Sequence, residues 1–151
     1  MKLHITAIGQ GRGWEEDALA RSWFGKLPHQ GRFVELVSKK PQGIARTRDE
    51  GERILAALPA NALLIAMDPG GRDMASEDLA EMIRSQRDGG CRDAVFAIGG
   101  ADGHDNAVLE HARMTLAFGR QTWPHMLFRA MLAEQLYRAE MIIRGHPYHH
   151  G

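Results

Sequence analysis

Residues 62–67 read Ala-Leu-Leu-Ile-Ala-Met, and residues 68–71 read Asp-Pro-Gly-Gly. A continuous apolar run of this length, closed by a strong breaker, is the pattern of a strand covered on both faces. The pattern returns at residues 94–98, Ala-Val-Phe-Ala-Ile, which run straight into Gly99 and Gly100. Two such strands, each ending in a glycine loop, call for an α/β layered arrangement.

The segments on either side extend that reading. Residues 3–8 (LHITAI) alternate and predict a strand ended by GQGRG; residues 33–37 and 114–118 predict two more. Between them, residues 15–27 place Ala18, Leu19, Trp23 and Phe24 at helical spacing, and residues 46–58 put Ile54, Leu55 and Leu58 on one side. Ser76 has the character of an N-cap, with Glu77 and Asp78 in the first turn of a helix running to Gly89-Gly90. Residues 105–113 predict a short helix, and Pro124 fits the first turn of a long one through about Ile143. Five strands separated by helices, without linker or repeat, predict a mainly parallel sheet in one domain over residues 1–151.

The chain has 19 Lys+Arg against 19 Asp+Glu, which excludes a protein that is basic all over. The charges are segregated, however. Residues 20–48 hold Arg21, Lys26, Arg32, Lys39, Lys40, Arg46 and Arg48 against Glu35 alone, and residues 49–110 are strongly acidic. The last 41 residues are basic again and hold most of the histidines. Such a surface attracts a polyanion at one face. The single cysteine, Cys91, excludes an internal disulfide framework. No apolar stretch reaches the length of a membrane span or a signal h-region, so the expected setting is cytoplasmic and away from membranes.

Ligands in open α/β sheets sit beyond the C-terminal strand ends. Three of these ends are unusual here: Met67 to Gly71, Ile98 to Gly103, and Phe118 to Pro124. Turn formation alone explains any one of them. None has a Walker A ending, and GQGRGW lacks the glycine spacing of the dinucleotide fingerprint, so phosphate cradling is disfavoured. His104 with Asp102 and Asp105 lacks a defined ligand set, and no metal site is expected.

The glycine loop of Gly99, Gly100 and Gly103, the Pro124-His125-x-x-x-Arg129 stretch, the segment Glu134 to Ala139 and the terminal His146 to His149 together resemble the RlmH family of SPOUT-superfamily RNA methyltransferases. The likeness spans the chain and is densest in its last 60 residues. It implies a doubly wound α/β fold with a C-terminal trefoil knot, a homodimer, and methyl transfer from S-adenosylmethionine to N3 of a pseudouridine in large-subunit rRNA, on the assembled ribosome. Carried over by position, the cofactor contacts are Met67, Gly99, Gly100 and the run Phe118, Gly119, Arg120, Gln121, Thr122, Trp123. The sequence departs from the family pattern at Asp68 to Arg72 and at Ala101-Asp102.

Release of the N3 proton calls for a general base or a cation that stabilises the developing anion. The candidates are His146, Tyr148 and His149 in the tail, with Arg129 and Arg138. Arg138 is also an expected ion-pair partner of Glu134, four residues earlier, and His125 is expected to serve a structural hydrogen bond. The competing reading is a non-catalytic α/β module that docks on RNA or protein through its basic face.

Overall fold

A computed structural model describes residues 1–150. The elements run β1 (Lys2–Ile8), α1 (Glu15–Gly25), β2 (Gln30–Leu36), α2 (Ile44–Ala56), β3 (Leu63–Asp73), α3 (Ser76–Asp88), β4 (Asp93–Ile98), α4 (Asn106–His111), β5 (Met114–Ala117) and α5 (His125–Ile143). The strands form one sheet in the order β2-β1-β4-β3-β5, and every pair is parallel.

Side-chain alternation along the central strands divides the core in two. Leu3, Ile5, Phe96, Ile65 and Met67 face α1, α3 and α5, where Phe24, Ile83, Leu132 and Leu136 are buried against them. Ile8, Leu64, Ala66, Val95 and Ala97 face the other way and are covered by Ile54 of α2 and Val108 of α4. Helices on both faces make the sheet doubly wound, and they explain why β3 and β4 are apolar without alternation.

Three local expectations are corrected. Asp68-Pro69-Gly70-Gly71 does not end β3. The register against β5 shifts there and pairing resumes at Arg72↔Leu116 and Asp73↔Ala117. A proline is tolerated at such an irregularity because no ladder hydrogen bond is required of it. Ser76 is the first helical residue and not the cap; its hydroxyl instead donates to Gln135 Oε1 at 2.7 Å, tying α3 to α5. Pro124 is itself the N-cap position of α5. The cap of α4, by contrast, is a side chain: Asp105 accepts from the Ala107 N–H.

Candidate functional site

The C-terminal ends of β1, β3, β4 and β5 open on a cavity of about 520 Å³. After β4, the Gly103 N–H donates to the Gly100 carbonyl at 3.0 Å and closes a tight turn. Gly103 adopts φ +78°, and a Cβ on Gly99 would stand 3.0 Å from the Gly103 carbonyl carbon. The loop therefore needs both glycines for its own shape, and it leaves backbone edges facing the cavity. After β5, the Gly119 N–H donates to Asp73 Oδ1 at 3.0 Å, and the Trp123 indole donates to the Phe118 carbonyl at 2.8 Å. These two bonds shape residues 118–123 into a rim. Phe118 packs on Phe128 of α5 with ring centroids 5.0 Å apart.

Met67, Gly99, Gly100, Phe118, Gly119, Gln121, Thr122 and Trp123 all line this cavity. Arg120 lies on the same exposed rim but does not line it. The structure also brings to the cavity residues that the sequence did not assign to it: Gln42, Arg46 and Glu50 from α2 and the loop before it, and His125 and Met126 from the start of α5. Glu50 is only 7% exposed. Burial pushes its carboxyl up; the Arg46 charge pulls the other way, and Asp102 and Asp49 push it further. Its one sequence signal is an acid placed four residues before Ile54, on the helix's buried stripe.

Arg129 departs from expectation. It was a candidate for contact with substrate, yet it is completely buried. Its Nε donates to His125 Nε2 at 2.9 Å, Nη1 to Glu35 Oε2 at 2.5 Å, and Nη2 to the carbonyls of Ile8 and Gly9 at 3.1 and 3.0 Å. Asp17 Oδ1 adds a second carboxylate at 3.7 Å. With its donors so engaged, Arg129 pins the start of α5 to the ends of β1 and β2 and is not a phosphate contact. Burial tends to raise the Glu35 carboxyl, but hydrogen bonds from Arg129 and the Gly11 N–H, with the Arg129 and Arg21 charges, hold it below its ordinary value. Burial, then the Arg129 charge, push the His125 imidazole down to about 4, so it is neutral near pH 7. Its structural role is to accept from Arg129 and to meet the Gly99 backbone.

The tail candidates lie elsewhere. Tyr148 donates to Glu134 Oε1 at 2.8 Å, and His149 Nε2 meets Glu77 Oε1 at 2.9 Å. The expected Glu134–Arg138 pair is present at 2.5 Å, with the guanidinium over the Tyr148 ring. Tyr148 also stacks with Trp23 and Tyr137. His146, which is exposed, accepts from the Tyr148 N–H. None of these side chains lines the cavity of its own chain.

A doubly wound parallel sheet with a small-molecule cavity at its C-terminal strand ends defines the class of α/β proteins that bind nucleotides and nucleotide-derived cofactors. Comparison narrows the class. Residues 1–149 match a family model described as "Predicted SPOUT methyltransferase", and the chain belongs to the SPOUT methyltransferase family. It is 47% identical over 150 residues to a protein of Paramagnetospirillum magneticum named ribosomal RNA large subunit methyltransferase H, with 99% of each chain covered. Proteins of the same name from Rhodospirillum rubrum and Mesorhizobium japonicum are 45% and 42% identical, again over 99% of each chain. Among solved structures, the SpoU methyltransferase AviRb from Streptomyces viridochromogenes, crystallised with the cofactor AdoMet, superposes with a TM-score of 0.52 at 10% identity. That match covers 94% of this chain and 61% of the other, and it is a likeness of fold.

Proposed function

We propose that this chain transfers the methyl group of S-adenosylmethionine to N3 of a pseudouridine in large-subunit rRNA, on the assembled ribosome in the cytoplasm, as a knotted homodimer. The observation that carries the reading is the convergence of Met67, the Gly99-Gly100 loop and residues 118–123 on one cavity. Relatives that share nearly half the residues over the full length are named as rRNA methyltransferases, which supports the substrate class.

The cavity fits such a cofactor. Its volume lies in the range of small-molecule sites. Ile98, Leu116, Phe118 and Met126 offer apolar walls, and Asp68 and Asp102 suit a molecule rich in hydroxyls and positive charge. When bound, the cofactor supplies a methyl group already made electrophilic by its sulfonium. The protein's part is to position it. The Gly99-Gly103 turn offers backbone donors and acceptors, and Trp123 fixes the rim by its bond to Phe118. The tail residues His146, Tyr148 and His149, with Arg138, act on the N3 proton at the cavity of a second subunit, since they do not reach that of their own.

A separate groove of about 570 Å³ between α1, α3 and α5, lined by Leu19, Trp23, Leu79, Leu127 and Met131, supports the homodimer. The return of β5 to pair with β3, followed by the passage of α5 back to β1, supports the C-terminal trefoil knot. Calorimetry with S-adenosylmethionine and mass spectrometry of rRNA test the reading. No binding at millimolar cofactor, or an unchanged methyl-pseudouridine content in a strain lacking the protein, refutes it.

A further inference from the structure

The proposed cofactor contacts all come from the ends of β3, β4 and β5. The same cavity is completed by Gln42, Arg46 and Glu50, which belong to α2 and the loop before it. Glu50 is the distinctive member. The residue is 93% buried and lines the cavity, and among the described residues no protein donor hydrogen-bonds to its carboxylate. Gly100 makes room for it, because a Cβ there would stand 2.8 Å from Glu50 Oε2. A carboxylate at a cavity wall with no protein donor is an acceptor left for a ligand to complete.

The surroundings say which kind of ligand. Lys39, Lys40 and Arg48 lie exposed on the same loop and helix, where they suit the phosphates of an RNA strand. A carboxylate repels phosphate, so within an RNA site its partner is an N–H on a base edge. Pseudouridine and uridine differ at one such group. In pseudouridine the glycosidic bond is to carbon, which leaves N1–H free on the ring edge; in uridine N1 is bonded to the ribose and a C–H stands in place of the donor.

We infer that Gln42, Arg46 and Glu50 form the nucleobase subsite, and that the Glu50 carboxylate accepts the ring N–H that pseudouridine has and uridine lacks. Glu50 thus sets the substrate class. The inference rests on the function proposed above and assigns its selectivity to one residue. With N1–H engaged, N3, one carbonyl carbon away on the ring, is left to face the methyl donor. Burial and Asp102, which push the Glu50 carboxyl up, favour an occupant that brings a donor.

The test uses two ribosome preparations, both from strains lacking this protein, one with pseudouridine at the target and one with uridine because its pseudouridine synthase is also absent. Wild type, Glu50→Ala and Glu50→Gln are compared for methyl transfer, for co-sedimentation with each preparation, and for S-adenosylhomocysteine binding by calorimetry. Glu50→Ala should reduce the preference for pseudouridine by about tenfold or more, through loss on the pseudouridine ribosome, with cofactor affinity within about threefold of wild type. Glu50→Gln keeps an acceptor oxygen and should fall between the two. An unchanged preference in a folded variant overturns the inference. So does a loss of cofactor affinity beyond about tenfold in both variants, which makes Glu50 a cofactor ligand. If wild type itself binds no cofactor, the proposed function fails first, and this inference with it.

Discussion

Arg129 in α5 and Glu35 in β2 stand 94 residues apart in sequence and 2.5 Å apart in space, Nη1 to Oε2. The same guanidinium serves the carbonyls that end β1. One side chain therefore joins the first two strands to the last helix, at the edge of the cavity.

Arg129→Met should cost about 3–5 kcal/mol, because it removes the buried charge partner of Glu35 and the donor to two carbonyls. Urea denaturation measures this directly. Glu35→Gln combined with Arg129→Met should cost less than the sum of the two single changes, since the buried charge then vanishes from both sides.

Acid should weaken the same joint. His125 is held at about 4, below its ordinary 6.5, and Glu35 is held below 4.5. Both folded values are depressed, so both contributions are fully present above the unfolded values and are lost as pH falls. The His125 share is lost from about pH 6.5 down to about 4 and is worth about 2 kcal/mol after allowance for partial exposure; the Glu35 share follows below about pH 4.5. His125→Gln should flatten the upper part of the curve of stability against pH. A slope unchanged between pH 6.5 and 4 would remove His125 from the account.

Gly71 and Gly25 should respond oppositely to alanine. A Cβ on Gly71 would lie 2.7 Å from the Leu116 backbone, where β3 re-pairs with β5, whereas a Cβ on Gly25 meets nothing within 4 Å. Gly71→Ala should lose about 2–3 kcal/mol, and Gly25→Ala should gain up to about 1 kcal/mol by helix propensity. Thermal melts of the two variants suffice.

Trp123→Phe removes the indole donor that closes the rim on Phe118. The ring is exposed, so the fold should be little changed, while S-adenosylhomocysteine should bind about five- to tenfold more weakly. Calorimetry alongside a melt separates the two effects.

Binding to ribosomes should weaken steeply with salt if Lys39 and Lys40 meet phosphates. The paired change Lys39→Ala, Lys40→Ala should reduce the slope of log affinity against log salt by about 1–2, with similar loss on pseudouridine and uridine ribosomes. An unchanged slope would place the RNA elsewhere.

The sheet was legible because β3 and β4 carry the continuous apolar run of a strand covered on both faces, and because Gly99-Gly100 mark where β4 ends. The loops that form the cavity were legible for the same reason. What escaped has a common cause. Proline and glycine in residues 68–71 have the look of a stop, yet the neighbouring strand simply shifts register past them. Arg129 has the look of a surface cation, because nothing within its helix announces a carboxylate 94 positions earlier. Glu50 stands in the run Arg48-Asp49-Glu50-Gly51-Glu52, which reads as a solvated face until Gly100 is set beside it. Side chains that join distant segments leave no local trace.

The joint at Arg129 also bears on how the protein comes into being. While the chain is being synthesised, β1 and β2 emerge with Glu35 and the Ile8 carbonyl awaiting a donor that is encoded near the other end. The cavity edge cannot be completed until α5 has left the exit tunnel. A product truncated before residue 129 would therefore carry every strand and still lack the clasp, which makes it open to proteolysis and leaves its cavity unfinished.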